Sequence, residues 1–220
     1  MIDQPAPLPG FDELTQQGIP PSGTGRVLIV ACGALAREIL DLKARGGWSH
    51  LDLTCLPAIL HNHPEKITDA VRAAVEKHRA RYQAIYVAYA DCGTGGQLQA
   101  ACDALGVEMI KGPHCYSFFE GNAVFGAHED EITAFYLTDF LTRQFDAFVW
   151  KPLGLDRHPE LLEAYFGHYT KLVYQAQTDD PALLAKAQDC AKRLGLAFEH
   201  RKTGYGDLAV TLKDWAQRPV

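Results

Sequence analysis

The chain has 220 residues, of which 47% are hydrophobic and 22% charged, and its formal net charge at pH 7 is −6. This length suffices for a sizeable hydrophobic core, and the composition is that of an ordinary globular protein. The acidic balance and the lack of a Lys/Arg run argue against nucleic-acid binding. The first residues do not resemble a signal peptide, and no apolar run reaches the roughly 18 residues of a membrane span. We therefore expect a cytoplasmic protein that does not associate with membranes.

The first part of the chain differs in composition from the rest. Residues 1–25 are rich in Pro, Gly and Gln and predict an extended arm, whereas residues 26–220 predict a single α/β domain. Apolar runs with β-branched residues predict strands at 26–31, 51–55, 84–90, 107–112, 171–177 and 196–203. Amphipathic stretches, several of them bounded by Pro or Gly, predict helices at 33–47, 64–81, 97–105, 132–149, 158–169 and 181–195. This alternation predicts three layers, with helices on both faces of a mostly parallel sheet.

Four of the six cysteines occur where a predicted strand ends and a loop begins. They are Cys32, Cys55, Cys92 and Cys115. The carboxyl ends of parallel strands meet at one edge of a sheet, where ligands bind, so we expect these thiols to converge. In a reducing compartment such cysteines are explained by packing, metal binding or catalysis rather than by disulfides. The pattern predicts a metal site made by Cys32, Cys92 and Cys115, with Cys55 or a neighbouring His or Glu as a further ligand.

The residues around these cysteines add candidate functional groups. Gly33 follows Cys32, and the DCGTGG loop leaves room for a cofactor or an anion to approach its backbone at Gly93, Gly95 and Gly96. His114 and Glu120 are candidate catalytic residues for proton transfer, and either is also a candidate metal ligand.

The ligand types point to two metal cofactors. Thiolates together with imidazole suit zinc, and three or four thiolates suit zinc or a 4Fe–4S cluster. We favour zinc because no segment resembles a ferredoxin cysteine run. Buried packing is the simplest explanation of any single cysteine, and we predict it for Cys102 and Cys190, which fall on apolar faces of predicted helices.

Several phrases after residue 25 resemble one bacterial and archaeal family of unknown function. They are ACGAL, CLPAILHNHPE, YADCGTGGQL, GPHCYSFFEG, FYLTDFL, LGLDRHPEL and KLVYQAQ. Members of that family are often encoded near corrinoid-dependent methyltransferases and their corrinoid proteins, and its pattern includes cysteines corresponding to Cys32, Cys92 and Cys115. The resemblance implies a role in corrinoid-linked one-carbon metabolism, with a corrinoid protein or a corrinoid-dependent methyltransferase as partner.

Three hypotheses of function stay open at this point. The first is a thiolate-ligated metal enzyme, or an accessory enzyme, of corrinoid-linked methyl transfer that acts on a small-molecule substrate. The second is a chaperone or docking protein that delivers a metal or corrinoid to a methyltransferase without turnover of its own. The third is a metal-free cysteine enzyme that uses Cys115 with His114, or Cys92 in its glycine-rich loop, as nucleophile.

Overall fold

A computed structural model describes residues 8–128 and 131–219 of the protein. The chain forms two compact units. The first contains the described residues up to Tyr89, then Thr94–Ile110, and the chain from Leu212 onward. The second contains Ala90–Gly93 and Lys111–Thr211. None of the described helices is long and apolar enough to cross a membrane.

The first unit is built on four parallel strands. They are β1 (Val27–Cys32), β2 (Leu51–Leu56), β3 (Ala84–Ala88) and β4 (Glu108–Met109). The helices of this unit are α1 (Phe11–Gln16), α2 (Ala36–Gly46), α3 (Ile67–His78) and α4 (Gln97–Leu105). The strand order is β2-β1-β3-β4, and β1 is buried along its whole length, as its VLIVAC sequence requires. Right-handed crossovers place α2 on one face of the sheet and α3 and α4 on the other.

The second unit has three parallel strands in sequential order. They are β5 (Ala134–Leu137), β6 (Lys171–Ala176) and β7 (Ala197–Lys202). Its helices are α5 (Ser117–Glu120), α6 (Asn122–Gly126), α7 (Asp139–Arg143), α8 (Leu162–Phe166) and α9 (Pro181–Leu194). Helix α10 (Gly206–Gln217) follows β7, and a π-helical turn spans Asp146–Trp150. Since the chain moves in one direction across this sheet, right-handed crossovers place α7, α8 and α9 on the same face.

The prediction of an α/β fold with parallel strands is confirmed, and the strands are divided between two sheets. One predicted element is wrong, because residues 132–149 do not form one helix. The AFYL segment is strand β5, paired with β6 from Ala134 opposite Lys171 to Leu137 opposite Tyr174. The aromatic spacing suits either structure, and pairing with β6 decides in favour of the strand. Helix α7 then begins after Thr138, whose side-chain oxygen accepts the N–H of Leu141 at 3.2 Å.

The segment predicted to be an extended arm contains a helix. Residues 1–7 lie outside the described residues, and α1 follows shortly after them. Further along, Ile19 forms an antiparallel bridge with Cys55 of β2, through hydrogen bonds of 3.0 and 2.9 Å. The described part of this segment therefore belongs to the first unit and packs along its sheet.

The carboxylate of Asp139, which is only 5% exposed, joins β5, β6 and the loop after β6. One oxygen accepts the hydroxyl of Tyr174 at 2.7 Å and the backbone N–H of Gln177 at 3.1 Å. The other accepts the backbone N–H of Thr178 at 3.0 Å and its hydroxyl at 2.5 Å. A buried carboxylate needs such donors, so Asp139 is a structural centre of the second unit.

We expect Asp139→Asn to lower the free energy of unfolding by about 2–4 kcal/mol. The change keeps the shape of the side chain but turns one oxygen into an NH2 group that faces two donors. Urea denaturation followed by circular dichroism measures the effect. Asp189→Asn, at an exposed position of α9, is the matched control and should change stability by less than about 0.5 kcal/mol. Equal stability of the two variants would contradict the structural role of Asp139.

Candidate functional site

Two of the predicted site cysteines, Cys92 and Cys115, lie next to each other in the second unit. Their sulfur atoms are 3.2 Å apart. The backbone explains this proximity, because the N–H of Asp91 donates to the carbonyl of Gly112 and the N–H of Cys92 donates to that of Pro113, both at 3.0 Å. These hydrogen bonds hold the two segments side by side. We call Cys92 and Cys115 the thiol pair.

The two members of the thiol pair differ in conformation and in exposure. Cys92 has a φ of +47°, alone among the described non-glycine residues in having a positive φ, and Gly93 follows at +84°. A left-handed backbone costs an L-residue about 1–2 kcal/mol, so the surrounding loop holds Cys92 in an unfavourable conformation. Cys92 is 8% exposed, whereas Cys115 is partly exposed. Cys115 is therefore the more exposed residue of the thiol pair.

Three rings form a stack that starts beside Cys115 in the sequence. His114 lies parallel to Tyr116 at a centroid distance of 4.8 Å, and Tyr116 lies nearly parallel to Tyr136 at 5.4 Å. Phe125 packs edge-on against Tyr116 at 5.7 Å. Such contacts favour a rigid arrangement. We call His114, Tyr116 and Tyr136 the aromatic stack.

The phenol of Tyr116 is close to the thiol pair. Burial raises its pKa, and the neighbouring Cys92, Tyr169 and Cys115 raise it further. Tyr116 therefore stays neutral at physiological pH and adds no negative charge beside the thiols.

The other end of the aromatic stack reaches a polar face of the second sheet. The strand register pairs Tyr136 with Val173 and Gln175 with Arg201. Because successive side chains alternate between faces, one face receives a set of polar groups. They are Tyr136, Lys171, Gln175, Glu199 and Arg201.

Six ionisable side chains form an ionic cluster associated with this face. They are Glu120, His128, Glu131, Lys171, Glu199 and Arg201. Arg201 is central and donates to Glu131 at 2.7 Å, to Glu120 at 3.0 Å and also to Glu199. Lys171 bridges Glu131 and Glu199 at 2.7 and 2.8 Å. A guanidinium group that is only 18% exposed needs several carboxylate partners, and this cluster supplies them.

Glu131 is the most perturbed carboxyl of the ionic cluster, and its side chain is only 6% exposed. The hydrogen bond from Arg201 lowers its pKa most, burial opposes this effect, and bonds from Lys171 and Tyr136 lower the pKa further. The net result is a pKa well below the ordinary value. For Tyr136, burial and the hydrogen bond to Glu131 raise the pKa.

The two predicted catalytic residues lie in different parts of this arrangement. Glu120 belongs to the ionic cluster, where its carboxylate accepts from Arg201, interacts with His128 Nε2 at 2.9 Å and accepts from Gln175 at 3.3 Å. His114 belongs to the aromatic stack, and its carbonyl accepts the hydroxyl of Ser117 at 2.6 Å. Their catalytic roles stay predictions.

The other two predicted site cysteines lie in the first unit. The register places Cys55 opposite Ala31 and Cys32 opposite Leu56, so strand alternation does not direct the two thiols to one face. Both are buried, at 6% exposure for Cys32 and 4% for Cys55. Burial raises the pKa of Cys55 well above its ordinary value, and nearby Cys32 and Glu38 raise it further.

Packing alone explains the glycine at position 33. A Cβ atom there would overlap the carbonyl oxygen of Leu14 and would lie 3.1 Å from the carbonyl oxygen of Leu56 and 3.2 Å from the nitrogen of Ala58. Gly33 therefore allows three backbone segments to approach each other. This close packing explains the glycine without a cofactor, and the predicted role of Gly33 in cofactor binding stays a prediction.

The glycines of the DCGTGG loop have left-handed backbones. Their φ angles are +84° at Gly93, +62° at Gly95 and +83° at Gly96. A Cβ at Gly95 or Gly96 would meet no atom within 4 Å, so backbone conformation rather than crowding explains the glycines there. Their predicted role in cofactor binding stays a prediction.

The remaining two cysteines are core residues, as predicted. Cys102 in α4 is 0% exposed and Cys190 in α9 is 1% exposed. Burial raises the pKa of each to about 11, which makes both thiols poor nucleophiles.

The donor set for a metal is incomplete within the described part of the chain. Among residues 8–128 and 131–219, no group of three or more His, Cys, Asp and Glu side chains is arranged to hold a metal ion. The thiol pair brings together two soft donors. The metal site with Cys32, Cys55, Cys92 and Cys115 as ligands stays a prediction.

Sequence reasoning missed most of the ionic cluster. His128, Glu131, Lys171, Glu199 and Arg201 are not among the predicted site residues. A signal was present in β7, where Glu199 and Arg201 alternate with Phe198 and His200 and so fall on one face. The contacts of this face with Glu120 and Glu131 arise from the folding of distant segments onto each other, and no local sequence pattern indicates them.

The fold and the site together define a parallel α/β protein with a thiol pair linked by an aromatic stack to an ionic cluster. The family described as "Protein of unknown function (DUF1638)" matches residues 55–212, and the chain belongs to this family. The matched region includes Cys55, Cys92 and Cys115, whereas Cys32 precedes it. Neither the comparison with curated proteins nor the comparison with solved structures found a match.

We expect Glu131→Gln to lower stability at neutral pH by about 2 kcal/mol, because the partly buried Arg201 loses one of its carboxylate partners. It should also weaken the dependence of stability on pH. The pKa of Glu131 is lowered on folding, so its contribution is present above the unfolded value of about 4.3 and is lost as pH falls through the folded value. Urea denaturation at several pH values between 7 and about 3 measures both effects.

The matched control for this experiment is Glu76→Gln, at an exposed position of α3. It should leave stability and its pH dependence close to those of the unchanged protein. If Glu131→Gln retained the full acid-dependent loss of stability, the lowered pKa of Glu131 would be refuted.

Proposed function

We propose that this protein binds a thiophilic metal through Cys92 and Cys115, and that zinc is the favoured metal ahead of a 4Fe–4S cluster. The observation that carries the proposal is the 3.2 Å separation of the two sulfur atoms. Two thiolates held together by the backbone are a common part of zinc and iron–sulfur sites. Aromatic surroundings also exclude water and strengthen metal–thiolate bonding.

The geometry of the thiol pair fits two positions of a tetrahedral zinc site. With Zn–S bonds of about 2.3 Å, the two sulfurs of such a site lie about 3.8 Å apart. A small rotation of the partly exposed Cys115 side chain covers the difference. Bound zinc would hold a thiol in its deprotonated and still nucleophilic form, which is the chemistry that thiol methylation requires.

The biological setting of the proposal rests on the resemblance described above. It implies an enzyme or accessory enzyme of corrinoid-linked one-carbon metabolism, which acts on a small molecule in the cytoplasm beside a corrinoid protein or methyltransferase. In this setting Tyr116 would place a neutral phenol next to the thiol pair. Cys115, the more exposed sulfur, would be the one that faces a partner or substrate.

A metal-free cysteine enzyme is the second candidate. It is favoured by the finding that the described residues bring together two soft donors but no group of three or more. In that case Cys115 would act as the nucleophile, because it is more exposed than Cys92.

We expect protein purified without oxygen to contain about one zinc ion per chain. Cys92→Ser and Cys115→Ser should each lower the metal content at least about tenfold, because each removes a ligand. Elemental analysis with a visible absorption spectrum measures the stoichiometry and distinguishes colourless zinc from a brown cluster. Cys190→Ala, which removes a core thiol of α9, is the matched control and should retain the metal.

Full metal content in both serine variants would overturn the proposal. Absence of metal from the unchanged protein, together with selective alkylation of Cys115, would favour the metal-free enzyme. Cys32→Ser and Cys55→Ser test separately whether those cysteines are ligands. Stoichiometric association with a corrinoid protein without any turnover would favour a delivery or docking role.

A further inference from the structure

The thiol pair has the features of a dithiol that can close to a disulfide. The 3.2 Å separation must shorten to about 2.05 Å for a bond to form. The hydrogen bonds from Asp91 to Gly112 and from Cys92 to Pro113 already hold the two backbone segments together. Little chain entropy remains to be lost on closure, so the effective concentration of one thiol at the other is high.

The backbone around the pair has unusual conformations at two glycines. Gly93 and Gly112 flank the paired segments with φ angles of +84° and +157°, conformations that side-chain-bearing residues rarely adopt. Cys92 itself has a left-handed backbone. The backbone of this loop therefore departs, at Cys92, from the conformation that a residue with a side chain prefers.

The unequal exposure of the two sulfurs defines an order of events. Cys115 is partly exposed, whereas Cys92 is 8% exposed. A reagent in solution meets Cys115 first, and Cys92 then acts as the resolving thiol from within the loop. This division between an accessible and a resolving cysteine is typical of redox-active pairs.

We propose that Cys92 and Cys115 form a redox-active dithiol, whose oxidants are low-molecular-weight disulfides of the glutathione class. The thiolate of Cys115 attacks one sulfur of the oxidant, forms a mixed disulfide and releases one thiol. The thiolate of Cys92 then attacks the Cys115 sulfur, forms the internal disulfide and releases the second thiol. The protein gives up two electrons and two protons, and the oxidant is reduced to two thiols.

This inference rests in part on the proposed function, because the same two sulfurs are the proposed metal ligands. A disulfide leaves neither sulfur as a thiolate, so oxidation and metal binding at this pair exclude each other. Oxidation would release the metal, and bound metal would protect the pair from oxidation. The protein would then bind its metal only under reducing conditions.

The test uses the reduced, metal-free full-length chain in buffers of graded reduced and oxidised glutathione. After acid quenching and alkylation with N-ethylmaleimide, intact mass and peptide mapping identify the thiols that have been lost. We expect two of the six thiols to be lost together, in a single peptide pair that joins Cys92 to Cys115. Retention of all six thiols, or a disulfide at any other position, would overturn the inference.

Single variants check the order of the two steps. Cys92→Ser should stop the reaction at a glutathione adduct on Cys115, because the resolving thiol is absent. Cys115→Ser should give no internal disulfide and little adduct, because Cys92 is buried. Cys190→Ala should react like the unchanged protein. An adduct on Cys92 but not on Cys115 would contradict the assigned roles.

A parallel experiment with added zinc separates the two proposals. If both hold, zinc slows disulfide formation by about tenfold or more. Equal rates with and without zinc would leave the redox dithiol intact and refute the metal site. Zinc binding that requires Cys92 and Cys115, without any disulfide in glutathione buffer, would refute the redox dithiol and leave the metal site intact.

Discussion

The side chain of Arg201 places a permanent positive charge against a β-sheet, where water cannot solvate it fully. Its side chain is only 18% exposed, so carboxylates must lie beside it to compensate for the lost hydration of its charge. Glu199 comes from the same strand, but Glu120 comes from the end of α5 and Glu131 from the chain just before β5. This requirement fastens these parts of the chain to the sheet. Because Tyr136 binds Glu131 and stacks on Tyr116, the same requirement also orients the chain next to Cys115.

Much of this architecture could be predicted from the sequence because it follows from local patterns. The apolar runs of β1, β2 and β6 and the Gly-bounded α9 have strong periodic signals, and the structure places all of them within a residue or two. The parallel arrangement follows from the alternation of strands with helices. By contrast, AFYL became a strand through pairing with β6, and the partition of the strands into two sheets depends on long-range contacts.

In the candidate site, too, some features can be predicted from the sequence and others depend on long-range contacts. The sequence argument names Cys92 and Cys115 together, and the structure places their sulfurs 3.2 Å apart through backbone hydrogen bonds between their segments. The ionic cluster joins residues as far apart as Glu120 and Arg201, and no spacing rule connects them. Burial is also invisible in the sequence. The structure, not the sequence pattern, distinguishes the partly exposed Cys115 from the buried Cys55, whose backbone pairs with Ile19.

The left-handed backbone of Cys92 lowers the stability of the protein at the residue that supplies one of the paired thiols. Glycine adopts this conformation without penalty, so selection for stability alone would replace the cysteine. A cysteine at this position therefore costs stability that a glycine would not. Position 92 is thus a point where the backbone conformation favours glycine, whereas the thiol pair needs a cysteine side chain.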